Sequence, residues 1–155
     1  MHANGTAVEK DQREAIRWYR KAAAQGELRA QNNLGAAYLY GNGVEKDEVE
    51  AIAWYRKAAE NGNPFSQRML GQFYAEGTGV EKDEVEAVQW FRKSAELGDA
   101  VGQRRLGLMY VKGLGVERNE AEAAKWFTKA AKQGDLSAKA NLKLLQASPQ
   151  IQNPQ

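Results

Sequence analysis

The sequence predicts an all-α solenoid of helix–loop–helix repeats with a 36-residue period. Three observations carry this expectation. Tryptophan stands at Trp18, Trp54, Trp90 and Trp126, each 36 residues after the last. The same step relates Gly26, Gly62, Gly98 and Gly134, Lys21, Lys57, Lys93 and Lys129, and Leu34, Leu70, Leu106 and Leu142. The stretch VEKDEVEA occupies residues 44–51 and recurs unchanged at 80–87, with looser copies at 8–15 and 116–123. Such a period means that one supersecondary unit is stacked, each copy burying its apolar face on the next. The whole chain, 1–155, is then a single array. Repeats span 28–62, 64–98 and 100–134, with partial repeats at both ends.

The elements follow in order. The chain opens on a helix of type B over 11–25, with Asp11 as N-cap and Glu14 closing a capping box. The same pairing recurs as Asp47 with Glu50, Asp83 with Glu86 and Asn119 with Glu122. Within the B helix at 47–61, Ala51, Trp54, Tyr55 and Ala58 form one apolar stripe, and Gly62 is its left-handed stop. Helix A follows at 64–76. Pro64 suits its first turn, and Leu70, Phe73 and Tyr74 form its stripe. Gly35, Gly71 and Gly107 sit inside the A helices, where glycine costs about 1 kcal/mol against alanine. A penalty taken three times points to a helix crossing too close for a side chain. Loops such as GTGVEK at 77–82 join A to B. The chain closes on an A-like capping helix over 136–146, with Lys143 in place of the glycine and Gln146 in place of the tyrosine, then a tail over 147–155 containing Pro149. No segment alternates with period two, so strands are not expected.

Composition bounds the function. Apolar content is 43%, charged content 27% and net charge +2, which fits a globular chain without bulk attraction to nucleic acid. No apolar run approaches the ~18 residues of a membrane span, so no membrane partner is expected. There is no cysteine, and the single histidine, His2, lies beside the start and reads as an end or cloning scar. The N-terminus lacks the apolar core of a signal peptide. No metal or other cofactor is expected: the acidic EKDEVE clusters lack the alternating ligands of a calcium loop and read as capping and solvated surface. The tryptophans, with their strict period, read as core rather than as a ligand-stacking ladder.

The words of LGAAYLYGNGVEKDEVEAIAWYRKAAENG, residues 34–62, resemble the Sel-one-like repeat, a 36-residue relative of the tetratricopeptide repeat. The resemblance runs from about Gly5 to Leu145. It implies a right-handed α-solenoid acting as an adaptor for protein complexes. In bacterial members such arrays are often exported, which leaves periplasm, exterior and cytoplasm all open for this chain. One group of the family is stapled by cysteines, and some of its members have been described as β-lactamases. This chain has no cysteine, and its four serines open SQRM, SAEL, SAKA and SPQI rather than S-x-x-K. No enzymatic activity is therefore expected. The open first helix implies a longer array, or self-association with another copy.

Positions that vary between repeats are free to specialise. In the A helices they fall at offsets 0, 3, 4, 7 and 11, on one face. The first row is Arg29, Asn32, Asn33, Ala36 and Tyr40. The second is Phe65, Arg68, Met69, Gln72 and Glu76. The third is Val101, Arg104, Arg105, Leu108 and Lys112. In tetratricopeptide-like arrays this helix lines the concave groove. Five basic residues and one acid make it a positive cleft with apolar spots. Arginine grips carboxylates bidentately, and Tyr40, Phe65 and Met69 offer soft contact area. The expected guest is an acidic-apolar peptide or protein surface. Nucleic acid is the alternative, disfavoured because no polar pair that could read a base is repeated.

Overall fold

The computed structural model describes residues 3–148, and the readings of His2 and of the tail beyond Ser148 lie outside it. Eight helices follow one another: α1 (Ala3–Ala24), α2 (Leu28–Tyr40), α3 (Glu48–Glu60), α4 (Pro64–Glu76), α5 (Glu84–Glu96), α6 (Ala100–Lys112), α7 (Glu120–Lys132) and α8 (Leu136–Gln146). Among the described residues there is no strand. Even-numbered helices are type A and odd-numbered ones type B. Each helix packs on its neighbours in sequence, so the core is a row of small clusters and not one centre.

The A–B crossing is tight for the reason the glycines suggested. A Cβ on Gly71 would come to 2.5 Å from the Phe91 ring, one on Gly107 to 2.6 Å from Phe127, and one on Gly35 to 2.9 Å from Tyr55. The rings themselves are fully buried, so the glycine gap is filled by the aromatic residue one after each tryptophan.

Caps set the helix starts. Asp47, Asp83 and Asn119 accept from the N–H groups of Glu50, Glu86 and Glu122. The expected second half of the capping box does not form. The Asp47, Asp83 and Asn119 N–H groups donate instead to the carbonyls of Tyr38, Tyr74 and Tyr110 on the preceding A helix. The A helices carry caps that the sequence reading missed: Asn63, Asp99 and Asp135 accept from Ser66, Gly102 and Ala138 N–H.

The first helix departs from expectation. It does not begin at an Asp11 cap but runs from Ala3 through the whole VEKD stretch. In the other copies that stretch is a loop held by a second glycine at φ 65° to 74°, namely Gly43, Gly79 and Gly115. A Cβ on Gly79 would also meet Ile52 and Glu48. The first copy has Ala7 at this position, which avoids the left-handed region, so the chain continues as helix.

The tryptophans are not one core column. Trp90 and Trp126 are 5% and 8% exposed, Trp54 is half-buried, and Trp18 is 63% exposed. Each buried indole sits against the preceding B helix: Trp90 with Ile52 and Ala59, Trp126 with Val88 and Ala95. Trp18 has no such helix before it among the described residues, and that reverses its expected burial.

Candidate functional site

The candidate site is the stripe of A-helix residues that the repeats leave variable. α4 and α6 touch each other directly, and no pair of B helices approaches to the same degree, so the A helices lie on the inner side of the stack. Arg29, Tyr40, Phe65, Glu76 and Lys112 are exposed, while Asn32, Asn33, Ala36, Arg68, Met69, Gln72, Val101, Arg104, Arg105 and Leu108 are half-buried. None of these side chains is fully buried, as a shared open face requires.

Two of the five cations are already engaged. Arg104 Nε donates to Asp135 Oδ2 at 3.0 Å, with both side chains largely shielded. Arg68 Nε lies 3.0 Å from Asp99 Oδ2, less well aligned than its counterpart, and its guanidinium sits 4.8 Å above the Phe65 ring. Asp99 and Asp135 are the caps of α6 and α8, so each arginine ties one A helix to the start of the next. In the first repeat the equivalent residue is Asn32, which accepts from the Ser66 hydroxyl, and the equivalent cap is Asn63. These are stacking latches before they are ligand-binding groups. A charge-assisted bond of this kind contributes about 1.5–3 kcal/mol.

The groove's remaining charge is carried by Arg29, Arg105 and Lys112, against Glu76, whose carboxylate accepts from Gln72 Nε2 at 3.1 Å. Among the described residues none of these three cations is in an ion pair. Beneath the first rows Tyr55 packs between Phe65 and Phe73 at 6.3 and 5.6 Å. Burial, with a smaller push from Tyr40 and against the pull of Arg68, raises its phenol to about 12. Tyr55 therefore stays neutral at any ordinary pH and serves as packing, not as an acid or base.

The stripe extends one row further than the sequence reading took it. Asn141, Leu144 and Ser148 of the last repeat stand 36 residues beyond Arg105, Leu108 and Lys112. With Leu108, Val111, Phe127 and Leu145 they line a mostly apolar cleft of about 260 Å³. Leu144 at its rim is 74% exposed. Continuing the period by one step would have found these residues; Phe127 and Val111 come from other faces and carry no such signal. Among the described residues no group of His, Cys, Asp or Glu is placed to hold a metal, and no helix is long and apolar enough to cross a membrane.

A family model for the Sel1 repeat matches residues 1–27, 28–63, 64–99 and 100–135. Three solved structures are similar. The protective antigen c5321 of uropathogenic Escherichia coli, which displays an SLR fold, is 42% identical with a TM-score of 0.82, over 84% of this chain and 28% of its own. A Sel1 repeat protein from Oxalobacter formigenes is 41% identical with a TM-score of 0.79, over 84% of this chain and 52% of its own. The cysteine rich protein B of Helicobacter pylori is 32% identical with a TM-score of 0.69, over 87% of this chain and 97% of its own. The chain thus spans about a quarter and a half of the lengths of the first two. No curated protein sequence matches it.

Proposed function

The chain belongs to the Sel1 repeat family, a non-catalytic repeat scaffold whose members generally mediate protein–protein interaction, and from that premise we propose that its A-helix groove binds an acidic segment carrying a bulky apolar residue. The observation that carries this reading is the apolar cleft at Leu108, Val111, Phe127, Leu144 and Leu145, with Arg105 and Lys112 on the same stripe. A leucine or phenylalanine side chain fills such a cleft, and flanking carboxylates meet the two cations without breaking a latch. Pairing of Arg68 and Arg104 within the stack weakens the nucleic-acid alternative, since fewer cations are left to neutralise phosphates.

The test uses fluorescently labelled peptides in which one leucine or phenylalanine is flanked by glutamates, with lysine-flanked peptides as control. Binding is measured by anisotropy to the parent chain and to the Arg105→Glu/Lys112→Glu variant. We expect the variant to lose about tenfold or more in affinity for the acidic peptides, about 1.4 kcal/mol, with its melting unchanged. Leu144→Glu is expected to lose binding by closing the cleft to apolar side chains. Equal binding of acidic and basic peptides, or by parent and variants, would move the site off this face.

A further inference from the structure

Trp18 is the one periodic tryptophan whose indole faces solvent. It lies on a stripe of α1 that reads Asp11, Glu14, Trp18, Lys21, at spacings that bring these side chains onto one face. All four are exposed. Carboxylates precede the indole and an ammonium follows it, with Lys21 Nζ held 5.1 Å from the Trp18 ring centroid. A stripe with this polarity is complementary to its own reverse. Laid antiparallel on a second α1 with the two indoles in contact, Glu14 of each helix faces Lys21 of the other. Elsewhere in the array an indole at this position is covered by another B helix, so α1 of a second copy repeats a contact between elements that this chain already makes.

The competing occupant is the C-terminal end of a second copy, which would continue the stack head to tail. Lys143 refuses it. At that position Gly35, Gly71 and Gly107 leave room for an aromatic ring of the following B helix, where a Cβ would approach to between 2.5 and 2.9 Å. With a lysine there, α8 cannot seat Tyr19 of an incoming α1 in the same crossing. We propose that the Trp18 face of α1 docks on α1 of a second copy of this chain as an antiparallel, two-fold pair. A two-fold contact of this kind closes on itself and stops at two chains. Both A-helix grooves stay open in it, so the pair presents two copies of the site to one partner.

Sedimentation equilibrium from about 1 µM to about 1 mM reads the outcome. The expected mass rises from the 17.2 kDa of one chain to that of two and goes no higher. Trp18→Glu is expected to remain a single chain with unaltered melting, since the side chain is exposed in the monomer. Glu14→Lys and Lys21→Glu are each expected to weaken the pair about tenfold, and the double exchange to restore it. A single-chain mass throughout would overturn the proposal, as would growth beyond two chains, which would make the C-terminal end the occupant. Pairing that survives Trp18→Glu, or charge exchange that fails to restore it, would overturn it as well.

Discussion

Replacing one hydrogen of Gly71 by a methyl sets two effects against each other. Alanine is the better helix former by about 1 kcal/mol. Its Cβ, however, would stand 2.5 Å from a fully buried Phe91 ring that has nowhere to go. Overpacking of a closed core costs about 1–3 kcal/mol, so Gly71→Ala is expected to destabilise by about 1–2 kcal/mol in urea unfolding. A gain in stability would show that the crossing is loose. The glycine itself was readable because it recurs at Gly35 and Gly107. Its partner was not, since the ring lies twenty residues downstream on another helix. The latch arginines were misread for a similar reason. Arg68 and Arg104 sit on the variable stripe, yet the aspartates they meet are on the following helix caps. One signal did exist within the chain. Residues 32 and 63 are Asn and Asn, whereas 68 and 99, and again 104 and 135, are Arg and Asp. The pair changes together, as contact requires.

Among the elements, α8 shows how an array is ended. Arg20, Arg56 and Arg92 each donate to the tyrosine hydroxyl of the next A helix, Tyr38, Tyr74 and Tyr110. At the last junction both partners are gone: the arginine position is Thr128, whose hydroxyl turns back to Ala124 O, and the tyrosine position is Gln146. α8 instead depends on its cap. Burial acts to raise the Asp135 carboxyl, but the Ala138 N–H, Arg104 and the Ser137 N–H together outweigh it and hold the pKa below its ordinary value. The folded pKa thus lies below the unfolded one. The stabilisation is complete above the unfolded carboxylate value of about 3.9 and is lost as pH falls through the lower folded value. Asp135→Asn keeps a competent cap and removes the charge. It is expected to melt earlier than the parent at neutral pH, with the difference shrinking in strong acid. A gap that stays constant with pH would exclude the Arg104 pair as the cause.

In the whole molecule, place in the stack outweighs local sequence. Trp18 and Trp90 have the same neighbours in the chain, a glutamate four residues before and a lysine three after. Trp90→Ala is nevertheless expected to cost about 3–5 kcal/mol by emptying a filled cluster, and Trp18→Ala less than about 0.5 kcal/mol. Comparative denaturant unfolding of the two variants checks this; similar losses would mean that α1 is covered in solution. The groove obeys the same rule, since Arg105 and Lys112 stand outside the ion pairs that hold Arg68 and Arg104.

Period, helix order and most of the helix limits were legible in the chain, because a 36-residue step, capping residues and apolar spacing act between residues close in sequence. The variable stripe was legible too, as a face. Its chemistry was not. Which arginines are latched, which indoles are covered and where an apolar cleft opens depend on side chains some twenty to forty residues apart meeting across helices. The extra turns of α1 arose from a single alanine where the other copies have a left-handed glycine. Local rules repeat with the sequence, whereas burial and pairing depend on what each repeat has beside it, and the two ends of the stack have the least.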